Sequence, residues 1–180
     1  MVSFGTVRLM ARASVFDGLD MIAPPLVLVA QPAGGRWLLR GDPAILGPAF
    51  GLDFPCTACR SVSAGTTHIL WLGPDEWLVL SETVSDSPSR ALYPHALVDV
   101  GHRQAALHVA GAQAAAALNA GCPLDLDLSA FPVGMCTRTL FGKAEIVLWR
   151  VAAERFHVEA ARSFIPYVVA LLREAAHGVM

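Results

Sequence analysis

A strand, a glycine, a short helix and a second glycine are written into this chain twice, seventy residues apart. Trp37-Leu38-Leu39-Arg40 runs into Gly41, then Asp42–Phe50, then Gly51. Leu107-His108-Val109-Ala110 runs into Gly111, then Ala112–Ala120, then Gly121. Self-similarity at a fixed spacing is read before any local propensity. Each copy is expected to end in a left-handed cap, the conformation that favours glycine after a helix. Pro43 falls in the first turn of its helix, where a missing N–H costs nothing, and Pro48 bends or shortens that helix. The Ala114–Ala117 run has the highest helix propensity available, and its small side chains let the helix approach a sheet closely.

A second correspondence follows. Leu72-Gly73-Pro74-Asp75-Glu76-Trp77-Leu78-Val79-Leu80 matches Phe141-Gly142-Lys143-Ala144-Glu145-Ile146-Val147-Leu148-Trp149, and both read as β-hairpins with a turn led by glycine. An extended apolar run precedes each unit, Leu26–Ala30 in one half and Leu97–Val100 in the other. After the second hairpin, Arg155–Ala160 alternates as a strand, with Phe156 and Val158 expected inward and His157 and Glu159 outward. Ile165, Val168, Val169 and Leu172 then recur at helical spacing, with Ser163 as the expected N-cap, Arg173 and His177 in the last turn and Gly178 closing it. The first half has only Ser87–Leu92 in the matching place. The fold expected is therefore α+β: two fused, pseudo-repeated β-β-α-β-β(-α) halves sharing a core. It forms a single domain over residues 1–180, with subdomain-like halves at about 22–95 and 96–178.

Hydrophobic residues make up 54% of the 180 and charged ones 16%, against about 25% charged in ordinary soluble chains. A chain so poor in charge either has an unusually large core or hides apolar surface against a partner, which points to a subunit. Pro24-Pro25 interrupts Met21–Ala30, the nearest approach to a bilayer-spanning run. Arg8 and Arg12 are followed by no apolar signal segment, so a secretory leader is not expected. A net charge of −2 without a Lys/Arg cluster argues against a nucleic-acid partner. Cys56-Thr57-Ala58-Cys59 has the spacing of a redox pair or half a zinc site, but it follows Phe54-Pro55 in a loop, and Cys122 and Cys136 supply no second paired spacing. Reduced, cytosolic thiols are the plainer expectation.

No phosphate-binding glycine loop, nucleophile elbow or paired-histidine metal motif occurs, so no catalytic residue and no metal ligand is expected. The strongest polar group is Asp99-Val100-Gly101-His102-Arg103, at the turn between two strands. Asp99 at an apolar strand end must find donors. It braces the turn through backbone N–H groups, or else joins His102 and Arg103 in contacting a ligand or partner. Arg138, between Thr137 and Thr139 on a strand, is a second candidate, its guanidinium suited to a carboxylate across the sheet. Trp37, Trp71, Trp77 and Trp149 all fall on strands, as core packing requires.

Taken in order, Leu72–Leu78, Val98–Arg103, Gly121–Leu126, Phe131–Gly134 with Thr137–Leu140, and Arg162–Phe164 make the chain resemble the gamma-subunit family of heterotetrameric sarcosine oxidases, from about Leu26 to Ala175. That family is in turn similar to the folate-binding aminomethyltransferases of glycine cleavage. Here Gly101 stands where those enzymes usually have Ser, and Ala144–Arg150 lacks their catalytic Asp. The resemblance implies an accessory, non-catalytic subunit of a cytoplasmic complex that oxidatively demethylates sarcosine to glycine. It implies alpha, beta and delta partners, with FAD, FMN, NAD and tetrahydrofolate bound elsewhere in the complex and no cofactor on this chain. Self-association is expected when the chain is isolated. The alternative reading is a stand-alone folate-binding or aminomethyltransferase-like protein.

Overall fold

The computed structural model describes residues 14–23, 25–32, 34–50, 53–81 and 94–178, without the side chains of 49 and 50. Arg8, Arg12, Pro24, Gly51 and the expected Ser87–Leu92 helix lie outside the described residues.

Largely apolar runs of two to nine residues form antiparallel strands. In chain order these are β1 (Ile22–Ala23), β2 (Leu26–Ala30), β3 (Gly35–Gly41), β4 (Ser61–Ala64), β5 (Thr67–Gly73) and β6 (Glu76–Ser81). The second half supplies β7 (His95–Asp99), β8 (Gln104–Ala110), β9 (Cys136–Phe141), β10 (Ala144–Ala152) and β11 (Arg155–Ala161). Among the described residues the α-helices are α1 (Pro43–Phe50), α2 (Ala114–Asn119) and α3 (Ile165–Gly178), the last following β11. One sheet has the order β1-β2-β8-β11-β10-β9, and the other the order β4-β5-β6-β3-β7.

The two halves exchange their leading strands. β2 lies in the first sheet beside β8, and β7 lies in the second beside β3. Outward from β8 the first sheet continues β11, β10, β9; outward from β3 the second continues β6, β5, β4. The hairpin β5–β6 therefore holds the place that β10–β11 holds in the other sheet. The matched sequence Phe141–Trp149 instead covers the turn from β9 into β10. The β5–β6 and β9–β10 turns both follow or contain a glycine, Gly73 and Gly142, and that local likeness carries no information on a hairpin's place in its sheet.

The sheets stack face to face between helices. α2 and α3 cover the outer face of the first sheet, where Leu107, Val109, Ile146, Leu148, Phe156 and Val158 are buried. Leu46 of α1 and Phe54 pack on Trp37, Leu39, Ile69, Trp77 and Val79 of the second sheet. Between the sheets lie Leu70, Leu78, Leu80, Cys136, Val147 and Trp149. On β11, Phe156 and Val158 do point into the helix-covered core, but the expectation for His157 and Glu159 is overturned. They face the second sheet and are 6% and 1% exposed.

Ser163 is not the N-cap of the last helix. It lies within a 3-10 turn, Arg162–Phe164, that leads into α3. Gly121 is not a left-handed cap either, since it is absent from the positive-φ glycines. A side chain there would meet the Phe141 ring at 2.8 Å, so close packing explains the residue. Gly142 does need its freedom: with φ +58 it turns β9 into β10 directly beneath Tyr167 of α3. The Tyr167 hydroxyl accepts the neighbouring Lys143 N–H at 3.1 Å, tying the hairpin to the helix.

Candidate functional site

Because side chains alternate along a strand, antiparallel register lines up rows of residues across a sheet. On the inner face of the first sheet, Val29, His108, His157, Trp149 and Cys136 form one such row. Facing it, Arg36, Leu80, His68 and Ser63 form a row on the second sheet. Between these rows opens a cavity of about 360 Å³, with Arg155 and Val151 also on its wall and Gln31 and Pro32 lining it from the β2–β3 loop. The imidazoles and the indole are in ring contact: His68–Trp149 at 4.9 Å, Trp149–His157 at 5.8 Å and His108–His157 at 5.3 Å between centroids.

An ionic clamp joins the sheets at this cavity. The Arg36 Nε donates to both Glu159 oxygens at 3.0 Å, and its Nη1 donates to the Gly34 carbonyl at 3.1 Å. His157 Nε2 lies 2.9 Å from Glu159 Oε1. Burial works to raise the Glu159 carboxyl, but the contacts from His157 and Arg36 outweigh it and hold it below the ordinary carboxylate range. Trp149 Nε1 is the one buried side-chain donor or acceptor without a partner among the described residues.

Burial, then the neighbouring His157 and Arg155, push His108 down to about 4 from its ordinary value. The folded protein thus resists a proton that the unfolded chain accepts near pH 6.5. Above that pH both states are neutral, so the effect is absent; as pH falls from about 6.5 the unfolded state gains protons and stability declines. We expect a loss of about 1–2 kcal/mol by pH 4.5, after discounting for a half-exposed ring. His108→Gln should flatten the curve across that window in urea titrations; an unchanged curve would refute this account.

The predicted polar residues fall elsewhere. Asp99 ends the edge strand β7, and its Oδ1 accepts the Gly101 N–H at 2.8 Å. His102 and Arg103 are exposed on the β7–β8 turn. Arg103 and Arg138 line a second, smaller cavity of about 130 Å³ between the sheets; Asp99 and His102 do not. Arg138 donates to Glu76 of the opposite sheet at 2.6 Å and lies 3.8 Å from Glu145 on the adjacent strand. Arg40 also donates to Glu76. Burial tends to raise the Glu76 carboxyl, and the bonds from Arg138 and Arg40 reverse this. Two Arg–Glu pairs of opposite polarity thus hold the sheets together, one beside each cavity. The cysteines of Cys56–Cys59 stay in a loop, exposed and half-buried. Among the described residues no three His, Cys, Asp or Glu side chains gather as metal ligands would.

The larger cavity was not expected from sequence. The available signal was a charged residue of each sign, Arg36 and Glu159, each with apolar neighbours within its strand.

The fold is shared with part of a known aminomethyltransferase. It superposes on glycine cleavage system aminomethyltransferase T from Bartonella henselae with a TM-score of 0.61 at 10% identity, covering 82% of this chain and 45% of that one. A closer likeness is to a chain of heterotetrameric sarcosine oxidase from Corynebacterium sp. U-96 in complex with pyrrole 2-carboxylate. There the TM-score is 0.77 at 25% identity, with 85% and 84% of the two chains covered. Sarcosine oxidase subunit gamma from Corynebacterium sp. (strain P-1) is 28% identical over 75% of this chain and 70% of its own length. The subunit from strain U-96 is 29% identical over 73% and 67%. The model of the sarcosine oxidase, gamma subunit family matches residues 41–178, and the chain belongs to that family.

Proposed function

We propose that this chain is the accessory, non-catalytic gamma subunit of a heterotetrameric sarcosine oxidase that oxidatively demethylates sarcosine to glycine in the cytoplasm. It assembles with alpha, beta and delta subunits, which hold FAD, FMN, NAD and tetrahydrofolate. The observation that carries this reading is the likeness to a chain of the sarcosine oxidase complex over more than four-fifths of both chains. Apolar side chains left exposed on strands, on the 3-10 turn before α3 and on α3, among them Val27, Val29, Leu140, Phe164 and Tyr167, support docking onto larger partners. Asp99, His102, Arg103 and Arg138 are candidates for ligand or partner contacts; Asp99 and Arg138 lie on the edge strands β7 and β9. No described helix is long and apolar enough to cross a membrane.

The chain folds as a single domain on this reading, with the halves 22–95 and 96–178 as pseudo-repeated subdomains. The matched strand orders outward from β3 and β8 support it. Tetrahydrofolate is assigned to other subunits by the resemblance, and Ala144–Arg150 here lacks the catalytic Asp of the folate-binding enzymes.

Expressed alone, the chain is expected to show no flavin absorbance and no sarcosine turnover, and to co-purify with alpha and beta subunits made in the same cell. A chain that ignores those subunits, or turns sarcosine over unaided, would contradict the proposal.

A further inference from the structure

The larger cavity has a chemical bias of its own. Its walls are flat and mostly apolar: Trp149 and His157 on one side, Leu80 and His68 on the other, with Val151 and Pro32 at the rim. Its volume of about 360 Å³ lies within the range of small-molecule pockets, roughly 300–1,000 Å³. Two charges within it cancel, since Arg36 and Glu159 are paired. Arg155 remains, exposed at the cavity wall and without an ion-pair partner among the described residues. The orphaned indole N–H of Trp149 is a donor on the same wall.

Beside the neutral polar Gln31, Ser63 and Ser81 that also line it, the groups that set the character of a guest are the aromatic faces, one cation and one donor. A matching guest has a planar apolar body, one negative charge and acceptor atoms. A free amino acid matches poorly, because its ammonium would meet Arg155 and find no unpaired carboxylate among the described lining residues.

We infer that the space between the facing rows of the two sheets is a binding site for a small planar aromatic monocarboxylate, its ring against Trp149 and the imidazoles and its carboxylate at Arg155. The His108 ring, held uncharged at neutral pH, adds aromatic surface without adding a second cation. This inference stands apart from the subunit reading, because it concerns only residues of this chain.

The test is calorimetric titration of the full chain with benzoate, benzamide and benzylammonium. Benzoate is expected to saturate at about millimolar concentration or below, the range set by its few atoms, with benzamide weaker and benzylammonium without effect. Arg155→Gln, a change at an exposed position, is expected to weaken benzoate about tenfold and leave benzamide unmoved. Trp149→Phe keeps a ring but removes the N–H, and is expected to weaken both carboxylate and amide. Where the free chain does not stay in solution, the co-purified complex serves, and the quantity read is the difference between wild type and Arg155→Gln. No saturation by benzoate, equal binding of benzamide, or an unchanged Arg155→Gln would each overturn the assignment.

Discussion

Glu159→Ala is expected to destabilise the protein by about 3–5 kcal/mol, the usual cost of removing one partner from a buried ion pair. Arg36 is 5% exposed and bridges from the second sheet to the first. Without Glu159 its charge is left in a nearly dry space, and His157 loses its acceptor as well. The penalty comes from stranding a charge, so removing both charges should cost far less than removing one. Arg36→Met with Glu159→Leu is expected to recover most of the stability in urea denaturation. A single-variant cost below about 1 kcal/mol would mean that the clamp behaves like a surface pair.

A second large effect is expected at Arg150, which is 4% exposed and makes no salt bridge among the described residues, Asp127 acting on it only from a distance. Its guanidinium donates to the carbonyls of Leu126 and Phe131 at 3.1 and 2.6 Å, and to Ala153 at 3.1 and 2.9 Å. The charge also sits 4.6 Å above the Phe156 ring. One side chain thus pins the long connection between α2 and β9, and the β10–β11 turn, to the first sheet. Arg150→Met keeps the apolar stem but leaves the buried Leu126 and Phe131 carbonyls without their donor, at about 1–3 kcal/mol each. We expect a total loss of about 3 kcal/mol or more, with faster proteolysis inside residues 121–135. Arg150→Lys should rescue little, because an ammonium cannot span three carbonyls as a planar fork does. Full rescue by lysine would show that charge alone matters there.

Much of the architecture could be read from residues before any coordinates. The strand–glycine–helix unit, the alternation along β11, the apolar stripe of α3 and the need of Arg138 for a carboxylate all depend on neighbours a few positions away or on one residue's chemistry. The failures share a cause. Alternation showed that His157 and Glu159 oppose Phe156 and Val158, but not that a second sheet covers them; their cover comes from Arg36, 123 positions distant. Equivalence of the hairpins failed likewise, because which strand lies beside β8 is settled by long-range pairing. Gly121 was read through helix-cap chemistry when its constraint is the Phe141 ring.

The traded strands β2 and β7 also have a consequence for how the polypeptide emerges from the ribosome. Leu26–Ala30 is made well before its neighbour in the finished sheet, which ends at Ala110. Until that residue appears, a greasy ribbon waits without the edge it will join. Completion must therefore be late and nearly all-or-none, slowed by distant pairings. In that interval the nascent chain is most exposed to aggregation, and most in need of a chaperone's shelter.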